Sequence, residues 1–154
     1  MREEAGLEFL RLSPSWEAAL GELFEDLVNG GDYVNFHPHP LTADEARARC
    51  RYRGRDLYYV AVDGREVLGY GMLRGWDEGF EIPSLGIALC SRVRGSKLGE
   101  AFMVFLHAAA RRQGAKRVRL KVQRDNIRAI KLYERVGYRF ESAREDELIG
   151  FINL

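Results

Sequence analysis

Apolar residues recur along this chain at two spacings, and the places where one gives way to the other mark its elements. Leu7 to Leu12 reads as a short strand, stopped by Ser13-Pro14, which also suits a helix start with Ser13 as cap and Pro14 at the first helical position. Trp16, Ala19, Leu20, Leu23 and Leu27 then fall on one face of a helix that Gly30-Gly31 ends. The run Asp32-Tyr33-Val34-Asn35-Phe36-His37-Pro38-His39-Pro40 is too proline-rich for a helix or a central strand and too aromatic for an idle linker, so a shaped loop is expected. Thr42-Ala43-Asp44-Glu45 has capping-box spacing and opens a second helix that reaches about Tyr52.

From Asp56 the period becomes two. Leu57 to Val62 and Glu66 to Leu73, turned at Asp63-Gly64, predict a hairpin. After a loop from Arg74 to Gly79, Phe80 to Leu89 reads as a strand whose Pro83 and Gly86 interrupt its pairing by a bulge or by divergence from one neighbour. Lys97 to Arg112 is a helix that is apolar nearly all round, closed by Gly114. Arg117 to Val122 alternates as a strand, Asn126 to Val136 carries a helical stripe closed by Gly137, and Tyr138 to Ala143 and Leu148 to Leu154 are the last strands. The order predicts one domain over residues 1–154, of α+β or mixed α/β class, with an antiparallel hairpin and a locally parallel pair across the helix Lys97 to Arg112.

Composition adds exclusions. At 46% apolar and 31% charged residues, with a net charge of +1, the chain is an ordinary globular protein without the global field that recruits nucleic acid or an anionic membrane. No stretch approaches the roughly 20 apolar residues of a membrane span, and the charged start Met1-Arg2-Glu3-Glu4 leads into no signal-like run, so a cytoplasmic protein is expected. Cys50 and Cys90 lack metal or redox spacing, and His37-Pro38-His39 lacks a third ligand, so no metal is expected.

The chemistry gathers at Ser91-Arg92-Val93-Arg94-Gly95-Ser96-Lys97-Leu98-Gly99, a basic turn between an apolar run and an apolar helix. Backbone N–H groups at a helix start lack intrahelical partners and sit at the positive end of the macrodipole, which suits a phosphate. Further on stands Asn126-x-x-Ala129-x-x-Leu132-Tyr133-Glu134-x-x-Gly137-Tyr138. Together the two segments resemble the GNAT superfamily of acetyl-CoA-dependent N-acetyltransferases. The first is similar to its pyrophosphate turn, Arg-Gly-x-Gly-x-Gly, and the second to its Asn-x-x-Ala-x-x-Leu-Tyr-Glu-x-x-Gly-Phe motif. The likeness is strongest from about Ile82 to Tyr138 and through the element order covers the whole chain.

The resemblance implies a twisted, mostly antiparallel sheet of about seven strands with about four helices, splayed where acetyl-CoA binds. It implies Arg94, Gly95, Ser96, Lys97, Leu98 and Gly99 at the pyrophosphate, Ile87 and Leu89 offering backbone groups to the pantetheine arm, and Asn126 on the cofactor side, a residue that also reads as a helix cap. Lys97 stands where the family usually has its middle glycine. Positive φ would cost a lysine about 1–2 kcal/mol relative to glycine; because the position opens a helix, negative φ is expected, with the ammonium near a phosphate.

The implied reaction is attack of a primary amine on an acetyl thioester in a ternary complex. A lysine-like amine with a pKa of about 10.4 needs roughly 4–5 kcal/mol to lose its proton at pH 7, and an α-amino group at about 8 needs only about 1. Glu81, thirteen residues before Arg94, is similar in spacing to the catalytic glutamate of some family members and shares strand parity with Leu85, Ile87 and Leu89; Asp77 and Glu78 are substitutes. Tyr133 matches the family's proton donor to the thiolate and also suits the core. Tyr33, Phe36 and His37 are expected to wall the acceptor pocket, with Asp77 and Glu78 near a cationic amine. A small-molecule amine is the expected acceptor; a protein acceptor and a non-catalytic acyl-CoA sensor are the alternatives, and a homodimer is left open.

Overall fold

The computed structural model describes residues 6–154, with Tyr33 described by its backbone alone; Met1-Arg2-Glu3-Glu4 and the Tyr33 side chain lie outside the described residues. Seven strands form one sheet in the order β1-β2-β3-β4-β5-β7-β6: β1 (Leu7–Arg11), β2 (Leu57–Asp63), β3 (Glu66–Arg74), β4 (Ser84–Leu89), β5 (Arg117–Gln123), β6 (Arg139–Arg144) and β7 (Glu147–Asn153). Four helices accompany them: α1 (Glu17–Asn29), α2 (Ala43–Cys50), α3 (Leu98–Arg112) and α4 (Ile127–Val136). Every pair of strands is antiparallel except β4 with β5, the pair that α3 connects.

Local chemistry explains most boundaries. Pro14 starts a single 3-10 turn ahead of α1. The Thr42 side chain accepts the Glu45 amide at 3.1 Å and caps α2. Gly64 takes φ 62° at the first position of the β2–β3 loop, a conformation tight hairpins require.

Alternation along β3 and β4 assigns the faces. Tyr70 and Met72, opposite Ala88 and Gly86, look toward α1, where the Phe24 and Tyr70 rings meet edge to face at 5.4 Å. Gly69 and Gly71, opposite Leu89 and Ile87, look toward α3, and added side chains there would strike Phe102 and Leu106. The glycines therefore let α3 press onto the sheet. Val104 is 58% exposed, so α3 has one wet face, narrower burial than its sequence suggests.

Two expectations change. The predicted strand from Phe80 begins only at Ser84, because Gly75 (φ 125°) and Gly79 (φ 86°) bend the preceding segment into a 3-10 turn over Trp76–Glu78. Glu81 therefore precedes β4 instead of sharing its parity. Lys97 is the cap of α3 and has φ 67° and ψ 8°, not the negative φ expected, since the chain must reverse there between the turn and the first helical amide. Among the described residues it is the one non-glycine with positive φ.

Candidate functional site

The site begins with a pairing that stops. Strands β4 and β5 are bridged only at Ser84 and Arg119, with the Arg119 amide on the Pro83 carbonyl at 3.0 Å. On its other edge β4 bonds to β3 through alternate residues; the Cys90 amide donates to the Leu68 carbonyl at 2.8 Å, which fixes the phase. Ile87 and Leu89 consequently turn their N–H and C=O groups toward β5 in a stretch where β5 has moved away. Apart from the Leu89 carbonyl, which accepts from Arg94 Nη2, these groups stand open between two strands, an arrangement that suits an amide-bearing ligand arm.

Above this gap lies the basic turn. Gly95 has φ 81°, and a side chain on Gly99 would touch Leu89 and Leu132, so both glycines hold the turn close to β4 and α4. The Ser96 hydroxyl donates to the Val93 carbonyl, and Leu98 is buried beneath. The turn is tied to α1 by Asp26, whose carboxylate accepts the amide and hydroxyl of Ser91, each at 3.2 Å. Its cations differ in their engagement. Arg92 pairs with Glu66, and Arg94 Nη2 lies 2.8 Å from Asp32 Oδ2 and donates to the Leu89 carbonyl at 3.2 Å. Lys97 is exposed and has no ion pair among the described residues. Arg128 joins them from the first turn of α4, its Nη2 3.8 Å from where a Gly95 side chain would begin. The sequence reading did not single out Arg128; a cation two residues past the Asn126 cap was the available signal. Asn126 itself caps α4, accepting the Ala129 amide at 3.3 Å.

The model of the Acetyltransferase (GNAT) family matches residues 20–138. The chain belongs to the GNAT acetyltransferase family. It is an acetyl-CoA-dependent acyltransferase. Solved structures share this GNAT fold at low identity. The GNAT domain of S. lividans PAT superposes with a TM-score of 0.82 at 16% identity, covering 96% of this chain and 90% of that one. The PaiA N-acetyltransferase from Thermoplasma acidophilum, solved in complex with coenzyme A, gives 0.77 at 14% identity over 97% and 99%. The ribosomal-protein-S5-alanine acetyltransferase from Vibrio fischeri gives 0.77 at 16% identity over 99% and 94%. Among curated proteins no sequence matches the chain.

Tyr133 lies on α4, its ring 6.0 Å from that of Tyr138 and 6.5 Å from that of Phe140. Burial pushes its phenol up to about 12. Among the described residues its hydroxyl has no hydrogen-bond partner, which leaves the proton available to a ligand.

Glu81 is placed elsewhere. A cavity of about 560 Å³ is lined by Arg55 and Trp76 together with Phe80 and Glu81, which lead into β4, and Lys116 and Arg117, which lead into the paired part of β5, all ahead of the Ser84–Arg119 bridge. Glu81 thus faces the pinch from the side away from the open gap, in the company of cations instead of Tyr133. Asp77 is a staple in this GNAT chain: its carboxylate accepts from the Tyr52 hydroxyl and from the Arg55 amide at 2.7 Å. Glu78 is exposed in the adjoining turn.

On the α1 face, Phe36 lies against Gly86 and meets Tyr70 edge to face at 6.2 Å. His37 is exposed. The inward histidine is His39, with Nε2 2.9 Å from the Tyr70 hydroxyl and Nδ1 2.8 Å from the Pro40 carbonyl. The two histidines flank Pro38, and the ring that packs against Tyr70 is that of His39.

Proposed function

We propose that this protein transfers an acetyl group from acetyl-CoA to the primary amine of a small molecule, by direct attack in a ternary complex. The observation that carries the reading is the single bridge between β4 and β5, which leaves the Ile87 and Leu89 backbone facing an open gap beneath the turn Arg94 to Gly99. When bound, acetyl-CoA supplies a thioester carbonyl for the amine to attack, and its sulfur leaves as a thiolate. The Leu89 and Ile87 groups orient the arm, and the turn seats the pyrophosphate through the amides that open α3, with Gly95, Ser96, Leu98 and Gly99 shaping it and Lys97 adding charge. Asn126 fixes the start of α4, and α4 carries Tyr133.

Tyr133 gives its proton to the leaving sulfur. A phenol held at about 12 stays protonated throughout the physiological range, and the burial that raises it also raises the basicity of a thiolate formed beside it, so the transfer is less uphill than in water. Glu81 takes the amine proton through water from across the pinch, with Glu78 and Asp77 adding negative charge at the same loop. Phe36 and His37, from the segment that covers Gly86, wall the acceptor side.

Two variants and one panel test this. Tyr133→Phe and Glu81→Gln lower turnover by at least about 10-fold each while CoA affinity stays within about 2-fold; wild-type turnover in both removes the role assignments. Acetylation of amines, amino sugars and peptides with acetyl-CoA decides the acceptor. The S5-alanine enzyme among the similar structures favours a protein acceptor as the second reading, and labelling confined to peptides would establish it in place of the small amine.

A further inference from the structure

Arg94 is held from two sides in the free protein. Its Nη2 donates to the Leu89 carbonyl at 3.2 Å and lies 2.8 Å from Asp32 Oδ2. The Leu89 carbonyl is one of the groups that the open β4 edge offers to the acyl donor, so the guanidinium covers a position the donor needs.

Asp32 is poorly satisfied by everything except that charge. Oδ2 is shielded from solvent and receives no aligned hydrogen bond, so the ion pair is close but off-axis. The carboxylate folds back over Gly30, the C-cap of α1, where a side chain would come within 2.8 Å of it. A helix C-terminus carries partial negative charge, and a carboxylate beside it is disfavoured without a compensating cation. Arg94 is that cation.

Asp32 also begins the segment over the acceptor face. Its carbonyl accepts the amides of Asn35 at 3.0 Å and Phe36 at 2.9 Å, and the Phe36 ring lies on Gly86 and Tyr70. Position and charge at Asp32 are therefore mechanically joined to Phe36.

We propose that Asp32 is a positioning residue that competes with the acyl donor for Arg94, so that filling the pyrophosphate turn frees the segment carrying Phe36. The pyrophosphate, with two charges, draws the guanidinium off Asp32 and off the Leu89 carbonyl; the uncompensated carboxylate then moves away from the end of α1 and takes the Phe36 turn with it. This rests on the reading of Arg94 to Gly99 as the donor's seat.

Calorimetric titration of CoA into the wild type, Asp32→Asn, Arg94→Ala and the double variant tests it. Asp32→Asn tightens CoA binding by about 3- to 10-fold because nothing competes for Arg94, Arg94→Ala weakens it by about 10-fold, and Asp32→Asn has no effect in the Arg94→Ala background. Asp32→Ser removes the same charge with a different side chain and shows the same sign. Hydrogen exchange at the Asn35 and Phe36 amides rises on CoA addition in the wild type and is already fast in Asp32→Asn. If Arg94→Ala weakens CoA binding but Asp32→Asn leaves it unchanged or weaker, Asp32 does not compete and the proposal is overturned. If Arg94→Ala leaves CoA affinity unaltered, the turn is not the donor's seat, and that reading falls together with the proposal.

Discussion

Lys97 is the residue at which the backbone and the chemistry of this protein disagree. Its φ of 67° costs a side chain about 1–2 kcal/mol that a glycine would not spend. If the turn keeps this conformation when it is filled, the strain cancels from the binding free energy and remains in the folding free energy. Lys97→Gly should therefore raise stability toward denaturant by about 1 kcal/mol while weakening CoA by about 3-fold and flattening its salt dependence, since only the ammonium is lost at the site. Urea unfolding and CoA titration at two ionic strengths check both signs; a more stable variant with unchanged CoA affinity would show that the ammonium makes no phosphate contact. At this scale the sequence was informative about identity and silent about geometry. The segments holding Arg94-Gly95 and Leu132-Tyr133 stand out by their resemblance to the family's motifs, whereas φ at Lys97 depends on how the 3-10 turn Ser91–Val93 delivers the chain to α3. Tyr133 invites a separate test. In the proposed role of general acid it works while protonated, and burial holds this phenol at about 12, so kcat should show no alkaline fall assignable to it below about pH 10, measured as a pH–rate profile that is flat on that side.

Elements here are set by local signals where their partners are near in sequence and by distant side chains where they are not. The β2–β3 hairpin, the α2 cap and the α4 stripe all announce themselves within a few residues. The β3–β4 loop does not. Its shape comes from Asp56, buried to 6% exposure at the foot of β2, whose Oδ1 accepts the amides of Gly75 at 3.0 Å, Trp76 at 2.9 Å and Asp77 at 3.3 Å. Three amides from a segment about twenty residues away are invisible to any periodicity, and this is why the alternation from Phe80 reads as strand while the chain is still turning. The same clamp decides where Glu81 stands. Asp56→Ala should cost about 2–3 kcal/mol, because it leaves buried amides without an acceptor, and should speed hydrogen exchange at residues 75–77. Asp77→Ala, whose carboxylate is exposed, should cost less than about 1 kcal/mol. Equal losses for the two would mean that the loop is held by its outer staple and not by Asp56.

Across the whole molecule, both faces of the sheet are fastened through a buried histidine bonded to a tyrosine. On the α1 face His39 meets Tyr70, and on the α3 face His107 Nε2 lies 2.7 Å from the Tyr138 hydroxyl, joining α3 to the chain just before β6. Burial lowers the basicity of both rings, His107 to about 4, with Arg111 adding to the effect; at His39 the Pro40 carbonyl and Glu45 pull the other way without reversing it. A histidine whose folded-state pKa lies below the ordinary 6.5 binds its proton more readily when unfolded. Its contribution is therefore complete above about pH 6.5 and is lost as pH falls toward about 4. For His107 the full loss amounts to about 3 kcal/mol, a large part of the stability of a domain this size. Urea-unfolding free energies measured from pH 7.5 to 4 should decline through this window, and the decline should be shallower by that amount in His107→Gln, which starts lower at neutral pH because the exchange disturbs the Tyr138 bond. A variant with the wild-type slope would place the acid sensitivity elsewhere. The two faces would then separate by experiment: if the remaining slope disappears in His39→Gln, the α1 face, which carries the Phe36 segment, yields to acid before the α3 face beneath the basic turn.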